Sequence, residues 1–238
     1  ETKISKLDDT LAKPFLIKDN EIHIGFSLGI ARYPNDSDTT DQLITQADAA
    51  MYQAKDLANQ NYLYYNDQMI RKIKNKKEIR RKLRMVIKNE GFKLKYQPQV
   101  NLSTGQGEYL EALIRLKDYD LSPGKFIPVA EESSLIIDIG RWVTKEAIKQ
   151  LASCQEEKEG EVIISINFSV QQLNDGGYID FLVETLDQYN VDPHLLEIEI
   201  TESILIEKEQ EAVKFVEQLS ELGVQLALDD FGTGYSSL

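Results

Sequence analysis

VQLALDDFGTGYSSL, residues 224–238, decides how this chain is read. An apolar, strand-like run over 224–228 ends in two adjacent aspartates, Asp229 and Asp230. The turn Phe231-Gly232-Thr233-Gly234 follows at once. A short apolar run bounded by a turn reads as a buried strand. Carboxylates at the C-terminal end of such a strand, with a loop after them, are the arrangement of α/β active sites. Neighbouring strand residues point to opposite faces, so both aspartates reach one site only where the strand is already ending. The two glycines permit that distortion. The same residues also read as a strand closed by an ordinary turn, because aspartate is a turn former.

Composition narrows the field. The chain has 238 residues, a formal net charge of −13 and a pI of about 4.7. That is room for one large or two small domains. The acidity argues against a nucleic acid polymer as partner, since such partners are held by basic faces. The single cysteine, Cys154, excludes an internal disulfide and fits a reducing compartment. No run approaches the roughly 18 apolar residues of a membrane span. Residues 1–10 lack the basic-then-apolar order of a signal peptide. A cytoplasmic domain is therefore expected. The chain lacks an initiator methionine, which suggests a piece of a larger or processed protein whose membrane attachment stays open.

Residues 1–66 read as an incomplete α+β domain. Helical spacing runs over 4–15, and EIHIGFSLGIA, residues 21–31, alternates like a half-buried strand. A helix is predicted over 39–57 and a short strand over 62–65. So few elements make too small a core for an independent domain. Ser27-Leu28-Gly29-Ile30-Ala31 and the run from Ala47 to Lys55, ADAAMYQAK, resemble the back end of a GGDEF domain, the diguanylate cyclase fold. The resemblance implies phosphate contact for Lys55. Asn59 stands where the family usually carries an arginine, and the GGDEF signature itself is absent, so no cyclic di-GMP synthesis from GTP is expected.

Residues 67–90 read as a basic helix between domains, capped at Asn66-Asp67 and running to about Lys88. Ten lysines and arginines interrupt a sparse apolar stripe of Ile70, Ile73, Leu83, Val86 and Ile87. No aromatics interleave for base stacking. A solvated connector is the preferred reading over a nucleic-acid or acidic-lipid patch.

From Phe92 onward, strands over 92–99, 109–115, 162–167, 195–201 and 224–229 alternate with helical periodicity over 129–150, 178–189 and 207–222. Such alternation implies parallel strands with helical crossovers. The last four strands carry Glu111, Asn167, Glu199 with Glu202, and Asp229 with Asp230. Successive parallel strands bring their ends to a common rim. Oxygen donors there, without a Cys or His cluster, favour Mg²⁺ or Mn²⁺. A pair of such ions, roughly 3.5–4 Å apart, suits phosphodiester hydrolysis. The alternative is a set of unrelated turn acids.

Tyr96-Gln97-Pro98-Gln99, the run EALIR at 111–115, Phe126-Ile127-Pro128 with Ala130-Glu131, Asn167-Phe168-Ser169, Glu199-Ile200-Thr201-Glu202 and residues 229–238 resemble, in order, the EAL cyclic di-GMP phosphodiesterases. The resemblance implies a (β/α)8 barrel whose first strand runs against the others. It implies hydrolysis of cyclic di-GMP to linear pGpG with Mg²⁺ or Mn²⁺, and a homodimer formed through this domain. Glu111, Asn167, Glu199, Asp229 and Asp230 would hold metal. Gln97, Leu113 and Arg115 would line the dinucleotide site, and Glu202 would hold the regulatory loop Phe231-Gly232-Thr233-Gly234. Leu116 stands where the family usually has tryptophan, and the loop over 115–123 is short.

The expectation is thus a partial TIM-like EAL barrel over 91–238, preceded by a GGDEF remnant over 1–66 and a linker helix over 67–90. Its alternative function is a non-catalytic cyclic di-GMP receptor or scaffold. A full barrel needs about 250 residues, so the segment counted here is expected to lack about three strand–helix units. It would then expose an apolar inner face, unfold easily and be inactive alone.

Overall fold

The structure is a computed structural model. It describes residues 2–11, 14–18, 20–55, 57, 61–100, 102, 107–157, 162–201 and 208–229. The chain divides into two compact units, residues 1–78 and 79–238.

In the first unit, α1 covers Thr2–Leu11. The helix predicted over 4–15 does not extend to Phe15, which lies in a strand. β1, Phe15–Ile17, and β2, Asn20–Ile22, form an antiparallel hairpin. β3, Leu28–Ile30, pairs in parallel with β4, Tyr62–Tyr64, across α2, Thr40–Lys55. The single strand predicted over 21–31 is therefore two strands, one given to each sheet. Gly29 lets α2 lie directly on β3, since a Cβ there would come 1.8 Å from the Ala47 carbonyl oxygen. Ala49, Ala50, Tyr65 and Met69 make the small core.

Helix α3, Asp67–Lys88, starts where the sequence places it. The Asn66 side-chain oxygen accepts the Gln68 amide at 3.1 Å, an N-terminal capping bond. Met69 belongs to the first core, whereas Ile79, Leu83 and Val86 line the second. The division between units falls inside this helix.

The second unit is a five-stranded sheet among the described residues. Its strands are β5, Phe92–Val100; β6, Gly107–Leu116; β7, Ile163–Phe168; β8, Leu196–Thr201; and β9, Gln225–Asp229. They lie in that order. β5 runs against β6, and every later pair is parallel. The periodicity over 129–150 resolves into two helices, α4, Pro123–Glu132, and α5, Leu135–Glu157. Ser134, at φ +57°, turns the chain between them. Crossover helices α6, Tyr178–Tyr189, and α7, Glu209–Leu222, follow β7 and β8. Helix α7 ends at Gly223 in the left-handed conformation, φ 82°.

Strand side chains alternate between faces. Ile164, Ile166, Phe168, Leu196, Ile198 and Ile200 form one face, all buried in the core that also takes Phe126, Ile139, Leu182 and Leu219. The opposite face is largely polar. It carries Gln97, Glu111, Ser165, Asn167, Glu197, Glu199, Gln225 and Asp229, with Leu113, Ile163 and Ala227 among them, all in phase across the strand registers. The expectation of an apolar inner face is corrected to this extent: most apolar strand residues serve the helix layer, and polar side chains predominate on the inner face.

Candidate active site on the polar face of the sheet

Glu111 on β6, Asn167 on β7, Glu199 on β8 and Asp229 on β9 share this face. Asn167 and Glu199 are direct register partners. Glu111 sits opposite Ser165, two residues before Asn167, and Asp229 sits opposite Thr201, two residues after Glu199. Four strands thereby deliver four polar groups toward the C-terminal end of the parallel strands. The Asn167 amide nitrogen donates to Glu111 Oε1 at 3.0 Å, bridging β6 and β7.

Glu199 is buried, with 9% of its surface exposed, while Asn167 and Asp229 are open to solvent. Burial pushes the Glu199 carboxyl above its ordinary range. The Ser165 hydroxyl opposes that shift, whereas Glu111, Asp229 and Glu197 add to it by charge repulsion. Glu197 is itself pushed up by burial. The Ser165 Oγ is fully buried and makes no hydrogen bond of normal geometry. A buried carboxyl that faces three further carboxyl groups belongs to a site short of positive charge. Its oxygen donors suit a hard divalent cation. Among the described residues no three Asp, Glu, His or Cys side chains converge tightly enough to hold an ion by themselves. Asp230, Glu202 and Phe231, Gly232, Thr233 and Gly234 all lie outside the described residues.

Leu113 and Arg115 continue the same face of β6, and Gln97 stands opposite Glu111 on β5. Leu113, Arg115, Asn167 and Thr201 line a cavity of about 310 Å³ with Ile127 and Glu131. Gln97 is not part of that lining. The Arg115 guanidinium donates to the Ile114 carbonyl at 2.8 Å. Lys55 is exposed at the end of α2 in the first unit. Asn59 lies outside the described residues.

Sequence reasoning gave no role to Ser165, Glu197, Thr201 or Glu131, although it quoted the last two within motifs. The first three were within reach of a period-2 reading, because they stand two positions from Asn167 or Glu199 on the same strands. Glu131 reaches the site only through the tertiary fold.

A sheet opening on a reversed strand, with helical crossovers between its later parallel strands, is a TIM-barrel-like α/β arrangement. The EAL domain family model matches residues 80–238, and the diguanylate cyclase GGDEF domain model matches residues 1–61. The chain belongs to the EAL domain family and carries part of a GGDEF domain in front of it. It is 39% identical over 236 residues to the signaling protein YkoW of Bacillus subtilis, covering 98% of this chain and 29% of YkoW. It is 35% identical over 240 residues to MucR of Pseudomonas aeruginosa, a bifunctional diguanylate cyclase/cyclic di-GMP phosphodiesterase, covering 100% of this chain and 35% of MucR. The chain spans about a third of the length of these relatives. Among solved structures, the MucR phosphodiesterase in its c-di-GMP complex matches with TM-score 0.63 and 34% identity, over 67% of this chain and 66% of that one. The EAL domain of FimX from Xanthomonas citri, also bound to c-diGMP, matches with TM-score 0.61 and 29% identity, over 68% and 63%. These neighbours bear out the TIM-like EAL fold. No helix among the described residues is long and apolar enough to cross a membrane.

Proposed function

We propose that the protein to which this chain belongs hydrolyses cyclic di-GMP to linear pGpG. The reading is supported most by the convergence of Glu111, Asn167, Glu199 and Asp229 on one face of successive strands, with the Glu199 carboxyl pushed up by burial and by the neighbouring carboxyl groups. Glu111, Asn167, Glu199 and Asp229, with Asp230, would hold Mg²⁺ or Mn²⁺. Bound there, the ion supplies a Lewis acid for the phosphodiester and makes water a stronger nucleophile at neutral pH.

The chain's own residues then bind and orient. The Asn167–Glu111 bond fixes two donors of different strands against one another. Leu113 offers apolar surface to a base, and Arg115 offers a guanidinium suited to phosphate or a base edge. Ile127 and the apolar wall of the cavity exclude water from the bound dinucleotide. Glu202 and residues 231–234 are proposed to couple activity to a homodimer of the EAL domain. The domain assignment of 1–66, 67–90 and 91–238 belongs to the same reading.

The test is direct. The full-length protein, incubated with cyclic di-GMP and Mn²⁺, should release pGpG, and Glu111→Ala or Asp229→Asn should abolish turnover while leaving the circular dichroism spectrum unchanged. Near-parental turnover in either variant removes that residue from the site. Binding of cyclic di-GMP without any pGpG would instead establish a receptor.

A further inference from the structure

Beyond the strand ends lies a hydrogen-bond cluster that none of the roles above uses. It is centred on Ser169, two residues after Asn167. The Ser169 hydroxyl donates to Glu131 Oε1 of α4 at 2.7 Å and accepts the Gln171 amide at 3.4 Å. The Ser169 amide donates to the Gln172 side-chain oxygen at 3.0 Å, and the Ser169 carbonyl accepts the Gln172 amide at 2.9 Å. Together these form a capping box on a 3-10 helix, Val170–Asn174. Gln172 is almost fully buried, with 4% exposure, and lies against Gly140 of α5. A Cβ on Gly140 would stand 2.0 Å from Gln172 Nε2. Two helices thus grip the end of β7, one through a carboxylate and one through the space a glycine leaves.

A capping box alone satisfies a helix start and needs no help from elsewhere in the fold. Glu131 is the exception. It spans 38 residues of sequence to reach Ser169, and it does so from the wall of the cavity that Asn167 also lines. Ordered partners behind a ligating side chain fix its direction.

We infer that Glu131 is a positioning residue, which locks Ser169 and with it the direction in which Asn167 presents its amide to Glu111 and to a bound cation. The inference rests on the reading of Asn167 as a ligand given above. In this role Glu131 acts through Ser169 and not on the cation itself.

The experiment uses the full-length protein and Mn²⁺ alone, with the free ion followed by electron paramagnetic resonance. Amide hydrogen exchange at residues 169–172 and thermal unfolding are recorded alongside. Glu131→Ala is expected to speed exchange in that segment and to weaken Mn²⁺ binding about tenfold or more, the usual effect of losing a partner behind a ligand. Glu131→Gln should restore the parental affinity, because its amide oxygen still accepts the Ser169 hydroxyl. Ser169→Ala and Gly140→Ala, which attack the same cluster from the loop and from α5, should weaken binding as Glu131→Ala does. Rescue by glutamine, with an unchanged unfolding temperature, separates positioning from a general structural role. Parental affinity in both Glu131→Ala and Ser169→Ala would overturn the inference while leaving Asn167 as a ligand. A parent protein that takes up no Mn²⁺ would overturn the ligand reading and the inference with it.

Discussion

Asp175 shows how a single residue in this chain carries both a pH response and a lesson about legibility. Its carboxylate takes two bonds from Arg141, Nε at 2.6 Å and Nη2 at 2.7 Å. It also accepts the Gly177 amide at 3.3 Å just before α6. The Arg141 hydrogen bonds hold the Asp175 carboxyl below its ordinary 3.8, burial opposes them, and the Gly177 amide helps. A depressed carboxyl contributes stability that is present above its unfolded value and lost as pH falls through the folded one. Asp175→Asn should therefore cost about 1 kcal/mol near neutral pH, discounted because Arg141 is still partly in water. The loss should shrink as pH drops through and below 3.8. Urea unfolding at neutral and acid pH measures it, and a pH-independent difference would show that packing rather than charge is at stake. None of this was visible in the sequence, because the partners lie 34 residues apart on different elements. Glu111, Asn167, Glu199 and Asp229 were visible because each stands on its own strand, where spacing alone suggests a shared rim. What spacing could not show is that Glu199 is buried while Asp229 is exposed, which depends on where the helices close over the sheet.

Among the elements, strong periodicity was legible and short pieces were not. α3 and α6 begin and end where their patterns do, α6 because it buries one continuous stripe and α3 because its cap and its apolar positions keep helical spacing although two cores share them. The join between α4 and α5 was missed because Ser133 and Ser134 interrupt the apolar rhythm by only a turn. The split of residues 21–31 into β2 and β3 was missed because pairing partners, and not the run itself, decide which sheet a strand joins. Two glycines make the same point as a prediction. Gly223→Ala meets no atom closer than 3.9 Å but must hold φ at 82°, a cost of about 1 kcal/mol. Gly29→Ala meets the Ala47 carbonyl at 1.8 Å and the Met51 amide nitrogen at 2.4 Å, both backbone atoms that cannot swing aside. That substitution should cost about 3 kcal/mol or more, because overpacking must separate β3 from α2. Denaturant titrations rank the two, and a Gly29→Ala loss no larger than that of Gly223→Ala would mean that α2 does not sit this close to β3.

At the scale of the whole molecule, the distribution of charge and the distribution of core follow different boundaries. α3 holds ten basic and two acidic residues, a net +8, so the remainder of the chain carries −13 − 8 = −21. The helix is nonetheless anchored by its apolar residues, and these are shared between two cores. Met69, 4% exposed, packs with Ala49, Ala50 and Tyr65, whereas Leu83, fully buried, joins Phe92 and Leu116 in the larger core. A substitution in α3 should therefore be felt in the unit whose core it lines. Met69→Ala and Leu83→Ala each remove a buried side chain at a cost of about 2–5 kcal/mol. The first should speed amide exchange in α2 and β4, and the second should speed it in β5 and β6. Exchange followed residue by residue decides the matter. If Leu83→Ala loosened α2 as much as β5, the two cores would be one cooperative body, and the division between Glu78 and Ile79 would have no energetic meaning.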